Sequence, residues 1–176
     1  GQKKTTKLIA VIAFPFGDVP YEIKKSQAEW AAENGADELD IVPNFLKLRE
    51  GEINDFAEAT GDLQWIHTKP LKAKFGPFGT TIAHGFLVLS LAPKMLEDTY
   101  VVKSAKMGVN YGLNRVRFTA PVPVNSDIRA RVTLKSFEKM DNARGKGARL
   151  VVSLTFELKE SKRPACVADL VFLIYE

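Results

Sequence analysis

Three textures of hydrophobic and polar residues follow one another along the chain. The run KLIAVIAF, Lys7 to Phe14, is continuously apolar and rich in Ile and Val, the pattern of a strand covered on both faces. FPFGDVP closes it with turn residues. YEIKKSQAEWAAENG then reads as a helix with Ile23, Ala28, Trp30 and Ala31 on one face and Gly35 as its stop signal. DELDIVPNF follows as a second strand. This order predicts a β-α-β unit with parallel strands.

From Glu52 the pattern changes. EINDFAEATG predicts a short helix with Ile53, Phe56 and Ala57 facing inward, and FLVLSLAPKMLED is apolar nearly all round, as a helix buried on every side would be. Antiparallel strand patterns fill the remainder. GVNYGLNRVRF comes first, and IRARVTLKSFEKM alternates through Ile128, Ala130, Val132 and Leu134. ARLVVSLTFELKE alternates through Leu150, Val152, Leu154, Phe156 and Leu158, with DNARGKG as the hairpin turn before it, and CVADLVFLIYE completes the meander. A long buried helix followed by such a meander predicts an α+β hot-dog fold, an antiparallel sheet wrapped round a helix, preceded by the β-α-β unit.

Composition narrows the class. The 176 residues, 45% hydrophobic and 26% charged, suit one substantial core in a globular protein. The net charge of +4 is interleaved with acids and accompanies no recognisable nucleic-acid motif, so nucleic acid is not an expected partner. Cys166 is alone, which excludes an intrachain disulfide and a thiolate metal site and suits a reducing compartment. No stretch reaches the roughly 18 apolar residues of a membrane helix, and GQKKTTK lacks signal-peptide architecture. The leading Gly1 reads as a trimmed start. The expectation is a cytoplasmic protein without a membrane or metal.

One stretch asks for chemistry. TGDLQWIHTKP places Asp62 and His67 on either side of a short apolar bridge. An acid after glycine is commonly a turn residue, and a solitary histidine is commonly structural. The pair is therefore either a catalytic couple or a loop carboxylate beside a buried imidazole. Trp30 and Trp65 read as packing, LKLRE as solvated surface and KKTTK as a solvated tail.

From Ile53 onward the chain resembles the MaoC-like dehydratases, which include the (R)-specific enoyl-CoA hydratases. The matching stretches are DFAEATGDLQWIH, GPFGTTIAHGFLVLSL, NYGLNRVRFTAPVPVNSDIRARV and ACVADLVFLIYE. The resemblance implies a catalytic Asp-x4-His pair, which falls on Asp62 and His67, with Gly85 as an N–H donor to the thioester oxyanion. His84 would support the loop or contact substrate, and Ser90 would hydrogen-bond the catalytic loop, although a helical serine more often bonds its own backbone. Lys69 departs from the acid expected after the histidine in close relatives. Implied partners are an acyl-CoA thioester, with coenzyme A only as part of the substrate and no other cofactor, and a second copy in a homodimer.

Residues Lys7 to Glu52 resemble a different family. AVIAFPFG and ENGADELDIVPNFLKLREGE look like part of a deoxyribose-phosphate aldolase, a Schiff-base enzyme on a TIM barrel, and Asp40 falls on an acid that assists its proton transfers. The barrel strand carrying the Schiff-base lysine has no counterpart here, and a β-α-β piece cannot close an eight-stranded barrel. Asp40 is then a relic. The sequence thus divides into a segment 1–52 of aldolase type and a hot-dog domain 53–176. It reads as a recombined chain, because a natural fusion normally retains whole domains. The function expected is reversible hydration of a trans-2-enoyl thioester. The alternative is an engineered or selected chimera of two folds without enzymatic function.

Overall fold

The computed structural model describes residues 9–12, 20–36, 38–41, 44–97 and 105–176. β1 (Ile9–Ile12) and β2 (Glu38–Ile41) pair in parallel, joined through α1 (Tyr21–Glu33), as the order of patterns predicts. Such a unit occurs in many α/β folds, so by itself it does not identify a piece of TIM barrel. The ends of the run KLIAVIAF lie outside the described residues.

The buried face of α1 differs from the expected one. Lys24 and Ala31, seven residues apart, are buried, whereas Ile23 and Trp30 are exposed. The reason is size: Ile12 and Ala31 pack with Ala10, Ala28 and Ala36, a small-residue contact that leaves no room for an indole. Lys24 keeps its ammonium satisfied in part by donating to Asn44 Oδ1 at 3.1 Å.

β3 (Leu46–Lys47) leads into α2 (Glu50–Thr60), which crosses the boundary expected at 52/53. Glu52 Oε2 accepts the Arg49 N–H at 2.6 Å, satisfying one of the donors that a helix start leaves open. Gly61, at φ 76°, ends the helix in a conformation that costs other residues a steric penalty. Ile53 and Ala57 are fully buried and Phe56 packs against the core, the inward face the spacing predicts.

Next come α3 (Trp65–Thr68), α4 (Pro70–Lys74), α5 (Gly85–Ser90) and α6 (Ala92–Glu97). The single long helix expected here is divided at Leu91. Pro93 cannot donate to the Leu89 carbonyl and its ring crowds it, so the helix cannot run through unbroken. Nor is it buried on every side: Phe86 is 68% exposed, while Leu87, Val88, Ala92, Met95 and Leu96 face the core.

β5 (Asp127–Asn142), β6 (Gly145–Leu158) and β7 (Cys166–Tyr175) form the meander, and β4 (Met107–Phe118), expected as its first strand, instead pairs with β7 at the far edge. The sheet runs β1-β2-β5-β6-β7-β4, with β3 also pairing β5. Ile41 opposite Val132 is where the parallel unit joins the antiparallel meander. Inward-facing Ile128, Ala130, Leu154, Phe156, Ala168 and Leu170 close over α5 and α6, giving the expected α+β hot-dog arrangement. Leu134, opposite Val152, lies half exposed instead of in the core, and a register shift between Leu134 and Ser136 ends the regular pairing there.

Candidate active site

Three short elements deliver the site. The end of α2 at Gly61 releases the chain into the loop that carries Asp62; α3 turns His67 inward; and an isolated bridge between Ile82 and Pro123 anchors the strand-like approach to α5. His84 is the N-cap residue of α5, and Gly85 is its first residue.

His67 is buried, and its Nδ1–H donates to the Ile82 carbonyl at 2.7 Å. That bond fixes the tautomer, so Nε2 of the neutral ring carries a lone pair. Burial pulls its pKa below the ordinary 6.5 against the opposing effect of the Ile82 carbonyl; His84 adds to the lowering and the Asp62 carboxylate counters it. Asp62 is exposed, with its carboxylate 4.0 Å from His84 Nε2. His84 is 3% exposed, and its Nε2–H donates to the Asp62 backbone carbonyl at 2.9 Å. Its ring stacks on His67 at 3.7 Å with 27° between planes, and Phe56 packs at 5.0 Å, tilted by 49°.

One ligating atom from each of Asp62, His67 and His84 lies within 4.8 Å of the others, a spacing open to a small cation. The donor set fits a cation poorly. Stacked rings point their in-plane lone pairs along near-parallel planes instead of toward one point. The same spacing suits a water held by the carboxylate and the His67 ring together.

A cavity of about 320 Å³ opens beside His67 and Gly85, walled by Phe78, Val88, Phe118 and Ala165. It is mostly apolar, with His67 and Gly85 in its wall, and neither Asp62 nor His84 belongs to that wall among the described residues. Gly85 matters here for space. A Cβ on it would meet the Phe118 ring at 2.8 Å.

The structure therefore brings Asp62, His67, His84 and Gly85 together. Ser90 donates to the Leu87 carbonyl at 2.7 Å within α5 and, among the described residues, makes no hydrogen bond to the loop. Asp40 lies in β2, opposite Val11 of β1, and its side chain falls outside the described residues. Phe78 and Phe118 were not singled out from the sequence. Phe78 lies in GPFGTTIAHG and Phe118 in NYGLNRVRFTAPV, but no local pattern tells an aromatic that lines a cavity from one that fills a core.

The sequence profile of the MaoC like domain matches residues 36–155. The 3-hydroxyacyl-thioester dehydratase Z of Mycobacterium tuberculosis is 48% identical over 126 residues, covering 72% of this chain and 82% of that protein. The solved (R)-hydratase from A. caviae shares the fold with a TM-score of 0.59 at 19% identity, covering 73% of this chain and 89% of that one. A second similarity also exists: the deoxyribose-phosphate aldolase of Thermococcus gammatolerans is 45% identical over 77 residues, covering 42% of this chain and 33% of that protein. The profile spans the loop, the histidines and most of the sheet, and the dehydratase identity extends over most of both chains. The chain belongs to the MaoC-like dehydratase family.

Proposed function

We propose that this protein catalyses the reversible addition of water to a trans-2-enoyl thioester, giving an (R)-3-hydroxyacyl thioester. The observation that carries the reading is the Asp62–His67 spacing beside the cavity that His67 and Gly85 line. One water held by both groups loses a proton to the Asp62 carboxylate while His67 Nε2 orients it. Its oxygen bonds to the β-carbon, the double bond shifts toward the thioester, and the proton held by Asp62 passes to the α-carbon, which restores the carboxylate. The charge that develops on the thioester oxygen is met by the Gly85 N–H, which as the first helical residue has no acceptor within its helix. Dehydration runs the same steps in reverse.

The apolar walls Phe78, Val88 and Phe118 suit an acyl chain, and coenzyme A enters as part of the substrate, with no further cofactor in the reaction. A second copy pairing through the sheets completes the groove, an arrangement that light scattering tests directly. The decisive experiment is the loss of enoyl-thioester absorbance when the protein is added to crotonyl-CoA. An unchanged absorbance across chain lengths sinks the reading.

A second reading is favoured by the aldolase similarity together with the parallel β1-α1-β2 unit. In it the chain is a chimera of two folds, and the family's residues remain without turnover. Binding of a CoA thioester without hydration distinguishes it from the first.

A further inference from the structure

We propose that His84 is the positioning residue of this site: its Nε2–H holds the Asp62 loop, and its ring, stacked on His67, sets the plane of that imidazole. The inference rests on the reading of Asp62, His67 and Gly85 as the reacting groups. His84 touches all three of the pieces that carry them. It precedes Gly85 in the chain, bonds the backbone of Asp62, and lies face to face with His67.

The tautomers make the argument specific. His84 Nε2 faces a carbonyl oxygen, which can only accept, so Nε2 carries a proton, and in the neutral ring Nδ1 is a bare acceptor. That Nδ1 is buried without a protein hydrogen-bond partner among the described residues. Burying an unpaired acceptor destabilises a fold, so a side chain present for packing alone would carry carbon there. His67 has the opposite tautomer, with the proton on Nδ1 toward Ile82. Stacking places the rings where a positive charge on His84 would oppose protonation of His67. Phe56 from α2 closes the outer face of His84, and the charged group facing the pair is the Asp62 carboxylate.

The test uses the intact chain, which contains only two histidines, so each imidazole is resolved in long-range ¹H–¹⁵N spectra. Near neutral pH one ring should appear as the Nδ1–H tautomer and the other as Nε2–H, with His84→Gln removing the Nε2–H signal. His84→Gln retains a donor toward the Asp62 carbonyl; His84→Phe retains the ring and its stack but not the donor. On crotonyl-CoA, His84→Phe should lower kcat by about 10²-fold, the scale of a misplaced reacting group, with a smaller change in KM. His84→Gln, which keeps the donor but loses the stack, should recover only part of kcat, to about 10-fold below the parent. Amide exchange over 61–64 should accelerate in the Phe variant and not in the Gln variant.

Two rings of the same tautomer, or Phe and Gln variants with equal kcat and equal loop exchange, overturn the inference. A parent that does not hydrate overturns the hydratase reading alone, because the tautomers and the loop exchange decide the role of His84 without turnover. If the Phe variant does not fold, the parent's tautomers still decide.

Discussion

Gly85 and Phe118 are so close that a Cβ on the glycine would lie 2.8 Å from the phenyl ring. The ring also meets Phe86 edge-on at 5.6 Å, so it is held between two consecutive residues at the start of α5. Gly85→Ala forces it to move. Phe118 is 45% exposed and can yield toward solvent, so the stability loss should be about 1 kcal/mol, the low end for overpacking. The cavity wall moves with the ring, however, and hydration should fall by about 10²-fold. Thermal melting and crotonyl-CoA turnover measure the two effects separately, and full turnover in Gly85→Ala would show that the cavity tolerates the displaced Phe118 ring.

The contact between Gly85 and Phe118 was not legible in the sequence, since it joins the start of a helix to the end of a strand far along the chain. What was legible follows one-dimensional rules. Period-two alternation located β5, β6 and β7, and the turn residues of DNARGKG placed the hairpin, because strand faces repeat along the chain itself. Where a second rule competed, periodicity alone misled: Pro93 divided the buried helix, and small-residue packing turned Lys24 inward and Trp30 outward. Asp62 and His67 stood out through their spacing. The stack of His67 on His84 did not, because it depends on how a loop returns to a helix start.

A second glycine sits under tighter constraint. A Cβ on Gly147 would fall against the backbone carbonyl of Ile174, across the pairing of β6 with β7. Backbone cannot move aside as a side-chain tip can, so Gly147→Ala should destabilise by about 3 kcal/mol, the upper part of the overpacking range. The site lies elsewhere in the fold, so residual folded protein should retain its kcat. Denaturant unfolding checks the first part; equal midpoints for parent and variant would contradict the pairing.

Cys166 is fully buried at the start of β7, and burial pushes its thiol up to about 11. The thiolate is the reactive form, so the native protein should resist a thiol-specific reagent near pH 8 and react once unfolded. A disulfide reagent such as DTNB, added with and without denaturant, reads this directly. Rapid native modification would mean that β7 opens far more often than its core contacts imply.

His67 supplies a pH dependence with a definite sign. Its folded pKa lies below 6.5 because burial opposes the charged ring, so between that value and 6.5 the unfolded chain binds a proton that the folded chain does not. Stability from this group is fully present above 6.5 and is lost as pH falls through the folded pKa, with no further loss below it. Denaturant midpoints should therefore drop from pH 7.5 to pH 5, and His67→Gln should drop less over the same interval. A His67→Gln slope equal to the parent's would show that other groups carry the dependence.

The last test addresses Asp62 and His67 as a unit. If both act on one water, removing either removes most of what the other contributes, and their effects should not add. Asp62→Asn keeps shape and hydrogen bonding but not the base, so hydration should fall by on the order of 10² or more, the scale of general acid–base catalysis. His67→Ala should do the same, although it also leaves the Ile82 carbonyl without its donor and so costs some stability. The double variant should cost little beyond the worse single one. Asp40→Asn, on a strand at the other end of the sheet order, serves as the control and should leave hydration nearly unchanged. Strict additivity of the two losses would mean that Asp62 and His67 act at separate steps, and an Asp62→Asn variant as active as its parent would end the assignment of a shared water.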